Sequence, residues 1–275
     1  MRRLLPILIA AILLLTSCSF PLQQSTPSPQ DLATKVAQTL TAWPTFPSTQ
    51  TPVPTSVLST LTVTPTPAST ASATPTTSPD DPVLSLGTPT FLDTFTSGSA
   101  FGLKTPYEDN AIHIEAIDGS LVFRSLAVHQ GWRWRLTSRM ARNLYLEGTF
   151  TTVSCAGLDH YGLMFRAPTY DDGVGYYVAL SCDGQTYMQY WDGSKSHTLL
   201  DWTPAPSALT GKNQTNRLGV MVKEHTFAIY VNGVLVKTVG DDVLNEKGHF
   251  GVFVSALDTP NFTFKLDEIK EWDQP

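Results

Sequence analysis

The chain has 275 residues, a formal net charge of −6 at pH 7 and a sequence pI near 5.4. Proteins that grip nucleic acid usually present a basic patch or stripe, so this acidic balance argues against a nucleic-acid partner. Proline and threonine crowd the chain before about residue 87, which leaves sequence for one hydrophobic core in the C-terminal part.

The N-terminus has the pattern of an export signal. A pair of arginines precedes an uncharged apolar run over 4–15, which is too short for a comfortable transmembrane span. Residues 15–18 (LTSC) then resemble the lipobox of bacterial lipoproteins, in which small residues precede a lipidated cysteine. This predicts a signal peptide over 1–17 and lipidation of Cys18. The alternative is an ordinary cleaved signal in which Cys18 is incidental.

Lipidation predicts an extracytoplasmic protein held on a bacterial membrane. Each CH₂ of an acyl chain buried in lipid contributes about 0.8 kcal/mol, so several chains form a stable anchor. Ser19 rather than aspartate follows Cys18. For a cell with two membranes this resembles the sorting pattern of the outer one, which is compatible with a place at the cell surface.

The segment between the predicted anchor and the folded part is poor in bulky apolar residues. Within 18–40, the four-residue spacing of Leu32, Val36 and Leu40 indicates a short helix, either a marginal juxtamembrane helix or one that binds a partner. Residues 41–88 are mostly Thr, Pro, Ser and Ala and bury too little apolar surface to offset the entropy of ordering. They are predicted to form a disordered linker.

The remaining residues, 89–275, show short alternating or apolar runs separated by turn residues, which is typical of an all-β antiparallel sandwich. The predicted strands cover 91–95, 112–117, 120–125, 132–137, 144–154, 161–166, 174–182, 186–191, 217–223, 226–231, 234–239, 249–255 and 262–272. Asp-Gly or Asn-Gly pairs at several junctions supply the positive φ angles of tight hairpins. Asn232-Gly233 predicts the clearest hairpin, one with a two-residue loop.

Several of these strands resemble the concanavalin A-like lectin and glucanase superfamily, and most closely its laminin G-like modules. The residues that carry the resemblance are FLDTF at 91–95, LYLEGTF at 144–150, YGLMFR at 161–166, TNRL at 215–218, YVNG at 230–233 and FKLDEI at 264–269. The resemblance implies a jelly-roll sandwich whose last strand lies beside its first. It departs after the first strand, where Phe101 stands in place of a common tryptophan.

Alternation selects the side chains that a sugar would meet outside the core. If the even-numbered neighbours of Tyr177 face the core, Tyr177 points to the opposite face, and the same argument places Arg166 outward. The next strand presents Tyr187, Gln189 and Trp191 on one face. Aromatic faces stack on pyranose rings while polar side chains bind hydroxyls, so these five residues are the candidate ligand-binding set. The alternative is that the rings fill the core or cover a rim.

Two further tryptophans, Trp132 and Trp134, present the same choice of faces. They rank below the group that contains Arg166.

The sequence gives little support for a catalytic site. Glycan-cleaving members of the resembled superfamily carry a pattern like Glu-x-Asp-x-x-Glu, because hydrolysis needs two carboxylates at one bond. Asp267, Glu268 and Glu271 come closest, but Lys265 occupies the first acidic position. We interpret these carboxylates as surface charge on the last strand.

The resemblance also implies a structural Ca²⁺ ion between the first and last strands, held by oxygen ligands. Asp93 and Asp267 occupy those positions. The alternative is a pair of plain edge carboxylates.

The folded part contains two cysteines, Cys155 and Cys182, which an exported protein carries into an oxidising compartment. Because only one pairing exists, we predict a disulfide, provided that the strand ends meet at one rim. Two reduced thiols are the alternative.

These observations give three hypotheses about function. The first is a lipid-anchored, non-catalytic module that binds cell-wall or environmental glycans. The second is a structural or adhesive surface protein that binds other proteins. The third, a glycoside hydrolase, is disfavoured because the carboxylate pattern is incomplete.

Overall fold

The computed structural model describes residues 78–275 of the chain. Cys18, the predicted signal peptide, the predicted short helix and residues 41–77 of the predicted linker lie outside this part, so their assignments stay predictions. No helix among residues 78–275 is long and apolar enough to cross a membrane.

Two antiparallel sheets make up most of the described part. The major sheet contains β1 (Phe91–Asp93), β2 (Tyr107–Glu108), β3 (Ile112–Ile117), β4 (Ser120–Ser125), β6 (Leu144–Ser154), β11 (Thr215–Lys223), β12 (Thr226–Val231), β13 (Val234–Gly240) and β15 (Thr263–Asp273). The minor sheet contains β5 (Arg133–Ala141), β7 (His160–Ala167), β8 (Gly175–Ser181), β9 (Gln185–Trp191), β10 (Ser196–Pro204) and β14 (Gly248–Ser255). A four-residue helix, α1 (Val83–Leu86), and a 3₁₀ turn (Ser99–Phe101) complete the elements.

The strand order places sequence-distant strands side by side. The major sheet runs β13-β12-β11-β6-β15-β4-β3-β2, and β1 also pairs with β15. The minor sheet runs β10-β9-β8-β7-β14-β5. The pairing of the first strand with the last is the arrangement that the sequence resemblance implies.

Side-chain alternation explains why the two sheets pack against each other. In β11, Leu218 and Val220 are fully buried, and in β8 so are Val178 and Leu180. All four belong to one core cluster that draws residues from both sheets. Burial of such apolar faces is the main favourable contribution to folding. The predicted all-β, antiparallel jelly-roll β-sandwich is therefore confirmed.

Two of the predicted hairpins owe their tight turns to positive φ angles. Asn232 and Gly233 have φ of 52° and 78°, and Val231 pairs with Val234 across the two-residue loop. Asp118 and Gly119, with φ of 52° and 72°, connect β3 to β4 in the same way. These conformations suit Asn, Asp and Gly and strain most other residues.

Two strands were not predicted. β10 carries the sequence SHTLLDWTP, which does not alternate cleanly, and its pairing with β9 shifts register twice. β2 has only two residues. Neither strand leaves a periodic signal in the sequence, and both sit at the outside of a sheet.

The folded part begins earlier than the predicted residue 89. Residues 78–90, here called the strap, lie against the side of the major sheet that faces away from the core. Within the strap, Asp81 is 3% exposed and its carboxylate accepts hydrogen bonds from Arg217 at 2.8 and 3.0 Å. Trp272 Nε1 also donates to the Gly87 carbonyl at 3.0 Å. The assignment of all of 41–88 to a disordered linker is therefore wrong for its last residues, because buried charge and backbone contacts order them.

The predicted disulfide is present. Cys155 and Cys182 are bonded, with their Cα atoms 5.5 Å apart and 27 positions apart in sequence. Cys155 directly follows β6 and Cys182 directly follows β8, so the bridge ties the major sheet to the minor sheet at one rim. A loop of this length corresponds to roughly 3–4 kcal/mol of stability in the chain-entropy account.

Candidate functional site

The minor sheet carries a second hydrophobic cluster on the face that points away from the core. In β8, Tyr176 and Val178 belong to the core, while Tyr177 and Ala179 belong to the second cluster. The predicted outward direction of Tyr177 is therefore confirmed, because strand side chains alternate between faces. We call this side of the minor sheet the aromatic face.

The aromatic face is built from rings that contact one another in tilted, edge-to-face and stacked arrangements. Trp132 lies 5.1 Å from Tyr177 and 6.1 Å from Trp191 between ring centroids. Tyr187 stacks on Trp202 at 5.0 Å. Such pairs contribute about 0.5–1.5 kcal/mol each beyond the area that they bury. The rings hold each other in fixed orientations.

A groove with a volume of about 390 Å³ runs along this face. Its lining consists of four aromatic residues together with two glycines and one carboxylate: Trp132, Trp134, Tyr177, Trp191, Gly131, Gly173 and Asp172. Tyr177 is only 1% exposed and forms the floor, whereas the three tryptophans are partly exposed and form the sides. The groove therefore offers apolar ring faces to a ligand, and we call it the aromatic groove.

The loop between β7 and β8 forms one side of the aromatic groove, and aromatic side chains pin it. Trp134 Nε1 donates to the Tyr170 carbonyl at 2.9 Å, and the Tyr177 hydroxyl donates to the Gly173 carbonyl at 2.5 Å. Gly173 has a φ of 71°, and a Cβ there would lie 2.8 Å from the Trp134 ring. Burial raises the pKa of Tyr177, which keeps its hydroxyl protonated as a donor. The groove is therefore preorganised, which reduces the cost of binding.

The five predicted ligand-binding residues occupy different environments. Tyr177 and Trp191 line the aromatic groove, and Tyr187 lies on the same face beside Trp202. Gln189 sits between Tyr187 and Trp191 along β9 and is 1% exposed. Its Oε1 accepts hydrogen bonds from the Tyr187 and Ser196 hydroxyls, so in this structure it holds neighbouring side chains in place.

Arg166 does not point outward as predicted. It is 2% exposed, and its guanidinium donates to the carbonyls of Arg142 at 3.0 Å, Leu244 at 2.8 Å and Glu224 at 2.6 Å. Its φ of 53° is left-handed, and the pairing of β7 with β14 shifts register at this end of the strand. Such a bulge breaks the alternation on which the prediction rested. The guanidinium lies over the Phe227 ring, away from the aromatic face.

The tryptophans ranked lower from sequence lie at the centre of the aromatic face. Trp132 contacts both Tyr177 and Trp191, and Trp134 supports the loop. Trp202, which packs on Tyr187 and 5.2 Å from the His160 ring, was missed. It belongs to β10, and only recognition of that irregular strand offers a signal for it.

Asp93 and Asp267 each bind groups of the protein itself. Asp93 Oδ1 accepts from the Phe95 amide at 2.8 Å, whereas Asp267 accepts from the hydroxyls of Ser120 at 2.8 Å and Thr151 at 2.6 Å. Residues 78–275 contain no group of three or more His, Cys, Asp or Glu that could hold a metal ion. Ca²⁺ takes six to eight oxygen ligands. The carboxylates here fit it poorly, and the calcium site stays a prediction from sequence.

The acidic residues of β15 are separated from the aromatic face, since β15 belongs to the major sheet. Glu268 pairs with Lys270 at 2.5 Å on a partly exposed surface. Glu271, interpreted as surface charge, is instead 1% exposed and lies 3.5 Å from Arg139. Burial raises the pKa of Glu271, while Arg139 acts in the opposite direction. The interpretation is corrected for Glu271, because it lies on the same inward face of β15 as the core residue Ile269.

Comparison with solved structures finds β-sandwich proteins. The chain is similar to the carbohydrate binding module CBM66 from Bacillus subtilis, with a TM-score of 0.48, 19% identity and coverage of 62% of this chain and 91% of that one. A protein of unknown function with a galectin-like fold from Bacillus subtilis has a TM-score of 0.49 at 12% identity, with coverage of 68% and 98%. A Bacillus licheniformis beta-glucanase has a TM-score of 0.48 at 10% identity, with coverage of 67% and 98%.

No protein-family model and no curated protein matches the chain. These similarities assign no function to the chain. The ligands and activities in those names belong to those proteins.

Proposed function

We propose that this protein is a non-catalytic carbohydrate-binding module, displayed outside a bacterial membrane by a lipid on Cys18. The observation that carries the proposal is the aromatic groove of about 390 Å³ on the outer face of the minor sheet. Sugar rings present flat C–H faces that stack on tryptophan and tyrosine. The jelly-roll sandwich supplies the rigid sheet on which the rings stand.

The proposed contacts with a sugar are of two kinds, ring stacking and hydrogen bonds to hydroxyl groups. The rings of Trp132, Trp134 and Trp191 are partly exposed and would stack on sugar faces, with Tyr177 as the floor. Tyr187 lies further along β9 on the same face and would bind hydroxyl groups at that end, whereas Gln189 is buried and holds the Tyr187 and Ser196 hydroxyls. Arg166 has no part in this contact, because its donors are bound to backbone carbonyls.

The distribution of carboxylates supports a role without catalysis. Glycoside hydrolysis uses two carboxylates that flank one bond, about 5–10 Å apart. Among the described residues that line the aromatic groove, Asp172 alone carries a carboxylate, and its Oδ1 accepts the Val174 amide at 2.9 Å. A hydrolase would need its second carboxylate from outside the groove: the acidic residues of β15 belong to the other sheet, and Asp171 lines the neighbouring cavities on the other side of Trp134.

A glycan array probed with the purified full-length chain tests the proposal, followed by calorimetry on any neutral polysaccharide that binds. Replacing Trp191 or Trp132 by alanine should weaken binding about tenfold or more, since loss of one stacked ring removes roughly 1.4 kcal/mol or more. Tyr230→Ala is the matched control, because Tyr230 is a partly exposed aromatic residue on the major sheet.

The outcomes separate the hypotheses. Binding to no carbohydrate would overturn the proposal and favour the adhesive, protein-binding alternative. Release of reducing sugar from a bound polysaccharide would overturn the non-catalytic part and return the glycoside hydrolase to consideration.

A further inference from the structure

A polar cleft adjoins the aromatic groove at the edge of the minor sheet. It consists of two cavities of about 270 and 340 Å³, and both are lined by Trp134, Arg135, Tyr170 and Asp171. One cavity also reaches Ser138, and the other reaches Tyr107 and Asp109. We call these two cavities together the edge cleft. Trp134 lines both the edge cleft and the aromatic groove, so one indole separates the two.

Arg135 is the main hydrogen-bond donor that the protein leaves unused in the edge cleft. Its guanidinium carbon lies 4.5 Å from the centroid of the Tyr107 ring, so the guanidinium is held over the face of this ring. Its Nε is buried without a hydrogen-bond partner among the described residues. Arg133, by contrast, donates to the carbonyls of Gln130 at 2.7 Å and Trp132 at 3.0 Å. A guanidinium that is held by stacking and lacks protein acceptors is prepared for a ligand.

The two carboxylates of the edge cleft differ as its two arginines do: one is already hydrogen-bonded within the protein and the other is not. Asp109 is occupied, because it accepts the amides of Ala111 at 2.7 Å and Ile112 at 2.9 Å and the Tyr107 hydroxyl at 3.0 Å. Asp171 is exposed, and no side-chain hydrogen bond to it is formed by the described residues. The cleft therefore combines an available donor, Arg135, with an available acceptor, Asp171.

This combination favours hydroxyl groups over a carboxylate. Each sugar hydroxyl both donates and accepts, so neighbouring hydroxyls match an arginine and an aspartate together. A uronic acid or another acidic sugar would approach Arg135 but also meet the negative charges of Asp109 and Asp171. The charges of the two arginines and two aspartates that line the cleft balance, which gives no net attraction for an anion.

We propose that the edge cleft is a second sugar subsite, and that the protein binds neutral chains of at least two sugar units. One unit stacks in the aromatic groove, and the next passes Trp134 and places adjacent hydroxyls against Arg135 and Asp171. The inference rests on the proposed function. The loop that holds Asp171 is fixed by the same hydrogen bonds that shape the groove, so the two subsites are held at a constant separation.

Titration of the full-length chain with oligosaccharide series tests this. The probes are laminari-, cello-, xylo- and fructo-oligosaccharides of one to six units, with oligogalacturonates as the acidic series. For the wild-type chain, affinity should rise sharply from one unit to a neutral oligosaccharide. Arg135→Gln should lower oligosaccharide affinity about tenfold and Asp171→Asn several-fold, while binding of the single unit is retained. Asp171→Asn changes an exposed side chain, so it remains informative if Arg135→Gln fails to fold.

Lys237→Gln and Asp242→Asn are the matched controls, since both residues are exposed and lie on or just after β13, at the opposite edge of the major sheet from β2. Wild-type affinity in both cleft variants, together with weak binding by Trp191→Ala, would overturn the second subsite and leave the proposed function intact. Tighter binding of the acidic series than of every neutral series would overturn the assignment to neutral sugars. Binding of no probe would overturn both proposals.

Discussion

At the scale of single residues, Arg166 near the end of β7 binds three backbone carbonyls inside the protein. Three carbonyl oxygens from separate loops converge on one planar guanidinium, and Phe227 covers it. Hydrogen bonds from a buried charged group are worth about 1.5–3 kcal/mol each, and the fork geometry cannot be copied by an ammonium. Arg166→Lys should therefore lower the free energy of unfolding by roughly 2–4 kcal/mol in urea titrations.

Arg142→Lys, at a partly exposed arginine, is the control and should change stability little. Sugar affinity of the folded fraction of Arg166→Lys should equal that of the wild type. Normal stability combined with lost sugar binding would instead restore Arg166 to the ligand-binding set.

His160 makes stability depend on pH. Burial lowers the pKa of His160 below its ordinary value of 6.5, although the Leu158 carbonyl at 2.8 Å and the Asp159 carboxylate act in the opposite direction. The unfolded chain therefore takes up the proton first, so the stability is present above about pH 6.5 and is lost as pH falls. Between pH 7 and pH 5 the free energy of unfolding should therefore decrease, because protonation in this range favours the unfolded chain.

Urea titrations at several pH values measure this effect. His160→Phe keeps a ring against Trp202 and should flatten the dependence, whereas His225→Gln, at an exposed position, should leave it unchanged. A dependence that is the same in His160→Phe and in the wild type would assign it to other groups.

At the scale of elements, the strap joins the end of the linker to the major sheet through a buried charge network. Arg217 binds Asp81 and also donates to Glu147 at 3.0 and 2.8 Å, and Tyr145 donates to Glu147 at 2.9 Å. Burial alone would lower the pKa of Arg217, but the hydrogen bonds of the two carboxylates raise it above its ordinary value. Asp81→Ala should cost about 2–4 kcal/mol of unfolding free energy, because it leaves Arg217 partly unpaired.

Chemical denaturation of Asp81→Ala measures this cost, with Asp80→Ala at the exposed neighbouring position as control. Loss of the strap should leave sugar binding by the folded protein unchanged, since the network lies on the major sheet. Equal denaturation midpoints for the two variants would show that the strap contributes no stability.

At the scale of the whole molecule, the prediction concerns the anchor. Cys18→Ser removes the thiol that a lipobox cysteine uses to accept its diacylglyceryl group, so the variant should lose label from a radioactive fatty acid and fail to partition into detergent. Glycan binding by the variant should be unchanged, because the proposed site lies in the folded part. A Cys18→Ser protein that still carries fatty-acid label would refute the anchor.

Local sequence signals determined much of the fold. The predicted strands over 112–117, 120–125, 144–154 and 226–231 coincide with β3, β4, β6 and β12. Alternation with a period of two and turns such as Asn232-Gly233 depend on only a few neighbouring residues. Both are therefore visible in the sequence itself. The outward direction of Tyr177 followed from the same period. The disulfide followed from the predicted export and the presence of only two cysteines in the folded part.

Only the tertiary structure determined the features that side-chain alternation along a strand does not predict. A bulge redirected Arg166, and the irregular pairing of β10 with β9 brought Trp202 to the aromatic face. The edge cleft joins Tyr107 of β2 to Arg135 of β5, two strands of different sheets. Which strands become neighbours depends on the packing of both sheets over a common core, and that is a property of the whole chain.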